Sequence, residues 1–261
     1  MTEQLTVASE PAADHAGSIP EVIASLPVSL ARSTSAEADL VAVSGATGWT
    51  NRAMEAIRSG ARGVLVVDPQ AEPVHELKKV ASQHEVPVVL NHRLASNPGV
   101  EVARSKVQSI SGDISFVDLT ASVVSTGTYS SALDELRLIA SRLVGRIQGL
   151  RTLRRSEDSL LATGHCAGTS IPVTFAALHS PLGPFAAYAR IVTASGDIEL
   201  RIPSPETAAP AEVTFTDAEG TTLAPTLFES SRRSSWRRLI GFVDSRSQPT
   251  DLDEFAKANS V

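Results

Sequence analysis

The regular alternation of apolar runs with amphipathic stretches between residues 38 and 91 restricts the fold most. "ADLVAVSGA" at 38–46, "GVLVVDP" at 63–69 and "VPVVLN" at 86–91 are compact apolar runs, the pattern of strands covered on both faces. Between them, "WTNRAMEAIRSG" predicts a helix stopped at Gly60. "PVHELKKVASQH" predicts a second helix with Val74, Leu77 and Ala81 turned inward. Three such strands joined by helices require right-handed crossovers and hence a parallel sheet.

On either side the pattern changes. Residues 1–18 are small, polar and rich in Ala and Pro, and are expected to form a disordered tail; "IPEVIASL" then predicts a short helix. Residues 19–92 therefore predict a parallel α/β domain. From residue 93 a helix, "GVEVARSKVQSI", precedes "DISFVDLTASVV". A helical segment, "TGTYSSALDELRLIASRLVG" at 126–145, follows, with Leu133, Leu136, Ala140 and Leu143 on one face. Beyond it "IQGLRTLRR", "SLLATGH", "SIPVTFAAL", "AAYARIVTA", "DIELRIP", "AEVTFTD" and "TLAPTLF" alternate, several of them separated by turn signals. Residues 93–261 thus predict a large, mostly antiparallel sheet closed by helices near 229–246 and 250–259. The expected fold class is α/β plus α+β.

Charge narrows the function. With 23 basic and 29 acidic residues the formal net charge is -6, the wrong sign for neutralising nucleic-acid phosphates. The densest basic run, "RRSSWRR", leads into Trp236, Leu239, Ile240 and Val243 at helical spacing, the solvated side of an amphipathic helix. No run reaches membrane length and no basic segment precedes an apolar core, so no membrane association and a cytoplasmic location are expected. Cys166 is the one cysteine, which excludes an intrachain disulfide. None of the six histidines has metal-ligand spacing, and no metal site is expected. His165 and Cys166 are adjacent in a strand and so point to opposite faces, which argues against a nucleophile and its base.

Trp49, Thr50 and Asn51 follow the carboxyl end of a parallel strand and open a helix, where open α/β sheets bind ligands. Packing and helix capping are the competing roles for the same three residues.

The order of elements resembles the glucose-fructose oxidoreductase and inositol dehydrogenase family (Gfo/Idh/MocA). "NRAMEAIRSGARGVLVVDPQAEPVHELKKVASQHEVPVVLNHR", "SKVQSISGDISFVDL" and "LDELRLIASRLVGRIQGL" carry the likeness, which runs from about Ala38 to the C-terminus. It implies a Rossmann NAD(P) domain followed by a large-sheet domain, acting on sugars or polyols. Carried over position by position, the family's functional residues are replaced. The G-x-G-x-x-G fingerprint occurs nowhere, and "GATG" at 45–48 is too common a turn to stand for it; with residues 1–18 read as a tail, the resemblance implies that residues 19–92 are a reduced Rossmann-like domain lacking its first dinucleotide-binding unit. The lysine of Glu-Lys-Pro falls on Asp68, and the Asp-x-x-x-His pair on Gly127 and Ser131. A further histidine falls on Thr50 or Asn51, while Arg93 is kept. Tyr129 is the candidate substitute acid, although an ordinary phenol is a poor base at neutral pH.

The resemblance with these replacements implies a non-catalytic structural or regulatory subunit with no cofactor. It would assemble through the open face of the large sheet, as a homo-oligomer or with a catalytic homologue, with Arg151, Arg154 and Arg155 on the rim. Two alternatives stay open. One is an active NAD- or NADP-dependent oxidoreductase completed by a partner; the other is a small-molecule sensor using the remaining cleft, in which Trp49, Thr50, Asn51 and Arg93 are the candidate residues.

Overall fold

The computed structural model describes residues 4–33, 37–110, 114–124, 128–207 and 209–259. The chain forms two units, residues 1–92 together with 232–260, and residues 93–231. In the first, strands β1 (Leu5–Ser9), β2 (Leu30–Arg32), β3 (Leu40–Ser44), β4 (Gly63–Val67) and β5 (Val88–Asn91) pair in parallel in the order β2-β1-β3-β4-β5. Helices α1 (Pro11–Gly17) and α2 (Ile19–Ser25) follow β1, α3 (Trp49–Arg58) follows β3, and α4 (His75–His84) follows β4.

Two expectations about the N-terminal stretch are corrected here. Residues 5–9 form a central strand, not part of a disordered tail, with Leu5 and Val7 buried. The first strand–helix–strand unit, β1 to β2, is therefore present. Its signal was weak because the alternation spans only five residues flanked by small polar ones; pairing on both edges, with β2 and β3, stabilises what local pattern left undecided. A left-handed Ser18, φ 46°, breaks the helical stretch after β1 in two.

The second unit holds β6 (Ile114–Val123), β7 (Ile147–Arg155), β8 (Ser159–Cys166), β9 (Pro172–His179), β10 (Ala186–Thr193), β11 (Gly196–Ile202), β12 (Glu212–Asp217) and β13 (Gly220–Leu223). They form one sheet in the order β13-β12-β11-β10-β6-β9-β8-β7, antiparallel except for the β6–β9 pair. Helices α5 (Pro98–Ser109) and α6 (Tyr129–Val144) cover one face. That face takes every second residue, Val117, Leu119, Ala121 and Val123 in β6 and Val173, Phe175 and Ala177 in β9, all buried. On α6 Leu136, Ala140 and Leu143 are buried as expected, whereas Leu133 is half-buried.

The closing helices α7 (Ser231–Ser245) and α8 (Asp251–Asn259) were expected with the large sheet, and instead they complete the first unit. Trp236 and Leu239 of α7 pack with Leu5, Val7, Leu40 and Leu65 on the side of α1 and α2. Leu252 and Phe255 of α8 pack with Trp49, Val64, Leu77 and Leu90 on the side of α3 and α4. Periodicity shows that a helix has an apolar side but not which sheet that side meets. Asp251 fixes α8 in place: its buried carboxylate accepts from the Leu90 N–H at 3.0 Å and from Arg238 Nη2 at 2.5 Å.

Candidate functional site

In an open parallel sheet the ligand crevice lies at the carboxyl ends of the strands, where the strand order reverses. Here β1 leads outward to β2 on one side while β3 lies on the other, so the reversal falls between β1 and β3. The turn leaving β1 reads Ser9-Glu10-Pro11-Ala12-Ala13-Asp14 and has no glycine. Glu10 N–H donates to the Ala42 carbonyl at 3.1 Å, which pins the backbone across the reversal. Its carboxylate accepts from the Ser44 N–H at 2.8 Å and lies 3.0 Å from Arg52 Nε. The remaining guanidinium nitrogens of Arg52 donate to the carbonyls of Ser44, Ala46 and Thr47 at 2.7 to 2.9 Å, so the pair ties α3 to the end of β3. A pyrophosphate held in the fingerprint manner needs open backbone and no opposing charge at this turn. The residues present do not fit that mode, because a carboxylate already holds the Ser44 N–H.

The next loop is closed in the same way. Gly45 donates to the Val67 carbonyl at 2.6 Å, and a Cβ at Gly45 would lie 2.3 Å from the Asp68 carbonyl oxygen, which only glycine avoids. Glu72 caps the start of α3, accepting from Gly48 N–H and from Thr50 Oγ1 at 3.0 Å. Trp49 is fully buried, donates from Nε1 to the Gln70 carbonyl at 2.8 Å, and meets the Phe255 ring edge-on at 5.7 Å. Asn51 is exposed. Of the three crevice candidates, Trp49 is thus a packing residue and Thr50 part of a cap. Asp68 takes a left-handed turn conformation, φ 52°, as aspartate tolerates, with its N–H on the Asn91 carbonyl at 2.9 Å.

The remaining named positions lie in the second unit. Gly127 is outside the described residues. Ser131 is exposed at the start of α6 and donates to the Thr128 carbonyl at 2.9 Å. Tyr129 is buried with its hydroxyl donating to the Glu157 carbonyl at 2.8 Å, and burial together with the Asp158 charge raises its pKa. Neither is an available base near neutral pH. Arg93 stacks over the Phe185 ring at 4.7 Å and lies 3.6 Å from Glu206.

Glu135, which sequence reasoning missed, organises that region. It accepts from the N–H groups of Arg93, Leu94 and Ala95 at 2.8, 3.1 and 2.9 Å, holding the loop after β5 onto α6. Burial pushes its carboxyl up, against the pull of those donors and of Arg142. Its place in an amphipathic helix reads as solvated, and only the fold reveals the amides that it meets. Glu10 and Glu72 were missed for the same reason: Glu10 meets Ser44 and Arg52, 34 and 42 residues on, and Glu72 meets Thr50, 22 residues back. Among the described residues no group of three or more His, Cys, Asp or Glu side chains is placed to hold a metal ion, and no helix is long and apolar enough to cross a membrane.

No protein-family model matches the sequence, and no curated protein matches it. Solved structures match in fold. An oxidoreductase from Agrobacterium radiobacter in complex with NAD+, L-tartaric acid and magnesium aligns with a TM-score of 0.70 at 11% identity, over 99% of this chain and 95% of that one. The UDP-N-acetylglucosamine 3-dehydrogenase of Acidithiobacillus ferrooxidans gives 0.70 at 12% identity, over 98% and 95%. A 3-ketoreductase from Actinomadura kijaniata in complex with TDP-benzene and NADP gives 0.64 at 13%, over 98% and 86%. The two-unit architecture is that of these oxidoreductases, a parallel Rossmann-like sheet with a large, mostly antiparallel one. The expectation of a chain without a cofactor is overturned by this likeness, because matched folds carry NAD+ or NADP.

Proposed function

We propose that this chain is a non-catalytic relative of the NAD(P)-dependent sugar oxidoreductases that takes a nicotinamide dinucleotide in its first unit and acts as a structural or regulatory subunit. The observation that carries the reading is the chemistry at the positions of the proton-transfer machinery. A base working near neutral pH requires an imidazole or a tuned carboxylate within reach of the substrate. Asp68 stands in a turn, Ser131 bonds its own helix end, and Tyr129 is buried with its hydroxyl donating a hydrogen bond to the Glu157 carbonyl.

The large sheet supports the assembly half of the reading. Opposite α5 and α6, Leu161 and Leu178 are 38% and 45% exposed. Farther along the same sheet Arg190 pairs with Asp197 at 2.9 Å, and the Tyr188 hydroxyl, pushed up to about 12 by burial and Glu199, stays neutral; beside the leucines, the exposed Arg154 stands opposite Leu161 in the β7–β8 pairing. Exposed apolar residues on a sheet face with no helix over it favour cover by a partner. A second copy or a catalytic homologue is the proposed occupant.

Calorimetric titration with NAD+, NADH, NADP+ and NADPH, with the solution mass and turnover on a panel of sugars and polyols measured on the same sample, tests the reading. Binding without turnover by an assembly larger than a monomer is expected. Turnover by the purified chain alone would overturn it.

A further inference from the structure

Residues directly opposite each other in neighbouring strands share a face of the sheet. On the face of the large sheet turned away from α5 and α6, one row of such residues crosses seven strands, with Thr120 of β6 at its middle. To one side Thr120 is in register with Ala176, Ala176 with Leu161, and Leu161 with Arg154. To the other it is in register with Tyr188, Tyr188 with Arg201, and Arg201 with Glu212. Arg154 and Glu212 thus stand equally far from Thr120, each three strands or about 14 Å away. Both are exposed, and among the described residues neither makes an ion pair or a side-chain hydrogen bond. Charges nearer the middle are paired within the face, Arg190 with Asp197 at 2.9 Å and Arg201 with Glu199 at 3.7 Å. Arg151, in the adjoining row, adds to the positive flank. The face therefore keeps free positive charge on one flank and free negative charge on the other.

We propose that a second copy of this chain covers this face about a two-fold axis running along β6, with Arg154 of each copy against Glu212 of the other. Under such an axis Thr120 faces its own counterpart, and residues of one row equally far from β6 on its two sides meet. Bulk agrees with charge. Ala176 meets Tyr188 of the other copy; in the next row Leu178 meets Ala186, since both are in register with Ser122. Each contact sets a large side chain against a small one, as interdigitating sheet faces require. Asp118 comes onto the axis, where it accepts a hydrogen bond from Thr174 Oγ1 and has Arg190 in register beside it. Packed sheets lie about 10 Å apart, a gap that an arginine and a glutamate span together. An axis across the strands would instead set the arginines of β7 against each other, which like-charge repulsion disfavours. An unlike partner needs only to complement the face; opposite charges equally spaced about β6 are what self-pairing requires. This rests on the proposed assembly through the large sheet, and names its occupant and its register.

The test is sedimentation of the full chain, of Arg154→Glu, of Glu212→Arg, and of these two variants mixed in equal amounts, with urea midpoints as a check on folding. Each variant alone sets like charges together twice and should self-associate about tenfold more weakly than the parent. The mixture should recover the parent's mass, because each variant complements the other at both contacts. Where a reversal lowers the urea midpoint, Arg154→Gln and Glu212→Gln take its place, and each should weaken association by about threefold. Association equal to the parent's in the variants, or a weakening that mixing the two reversals does not repair, would overturn the inference. If Leu161→Ser with Leu178→Ser then still lowers the mass, the face is the contact and the assembly reading stands without this register. A parent that is monomeric at every concentration overturns the inference and leaves a catalytic homologue as the occupant of this face.

Discussion

The first unit's sheet is covered on both faces and the second unit's sheet on one, and this difference governs where each can act. Every residue of β4 is buried, because α1, α2 and α7 lie on one side and α3, α4 and α8 on the other. Only strand ends and loops are left for chemistry, which is where Glu10, Arg52 and Glu72 gather. In the second unit, half of each central strand is turned away from α5 and α6. A whole face rather than a crevice is left over, which suits a macromolecular partner better than a small ligand.

The largest effect is expected where the double cover is broken. Trp236 is fully buried between α7 and the first sheet, beside Leu239. Trp236→Ala should cost about 4 kcal/mol, the transfer of a large aromatic plus its cavity, read as a fall in the urea midpoint. A loss below about 1 kcal/mol would mean that α7 does not cover this sheet.

Next comes the single cover of the second sheet. Glu135→Gln places an amide NH2 against one of three backbone donors, and leaving one of them unsatisfied should cost about 2 kcal/mol. The dependence on pH is more telling. Burial raises this carboxyl, so the native state holds its proton more tightly than the unfolded chain does. Its contribution to stability is then full below about pH 4.3, the ordinary glutamate value, and declines as pH rises through the native one. The penalty of the variant relative to the parent should therefore shrink from pH 4 to pH 7 in urea titrations. A penalty that grows with pH would mean that the three amides, not burial, control the group.

The same contrast explains what the sequence disclosed. Strands buried on both sides write continuous apolar runs, and β3, β4 and β5 were legible for that reason; β6 to β12 write alternation, equally legible. β1 does neither clearly, since Thr6, Ala8 and Ser9 dilute Leu5 and Val7 in a short strand. The helices α7 and α8 were legible as helices but not as covers of the first sheet, because amphipathicity names no partner. Site positions were located through the order of elements. What occupies them was not, since Glu10, Glu72 and Glu135 act through backbone amides distant in sequence, and an amide leaves no mark in the alphabet of side chains.

A smaller effect is expected at Tyr129, which sits on the covered side of the second sheet. Tyr129→Phe removes one hydrogen bond to the Glu157 carbonyl and keeps the ring. The cost should be about 1 kcal/mol, with dinucleotide affinity unchanged. A change in affinity with stability intact would give the hydroxyl a part in binding.

The smallest effect on folding belongs to the uncovered face, and there the comparison is sharpest. Leu161 and Leu178 point away from the helices, since their neighbours Leu160 and Ala177 are the buried ones. Substituting both with serine removes little that the monomer buries, so stability should change by no more than about 0.5 kcal/mol at each site. Each leucine nonetheless has roughly 1 kcal/mol of burial still to gain from a partner, and in a two-fold assembly each substitution counts twice. The double variant should therefore sediment at a lower mass than the parent while unfolding at nearly the same urea concentration. If the mass stays that of the parent assembly, this face is not the contact. If stability falls by more than 2 kcal/mol with the mass unchanged, the face is covered within the chain and the contrast between the two sheets fails.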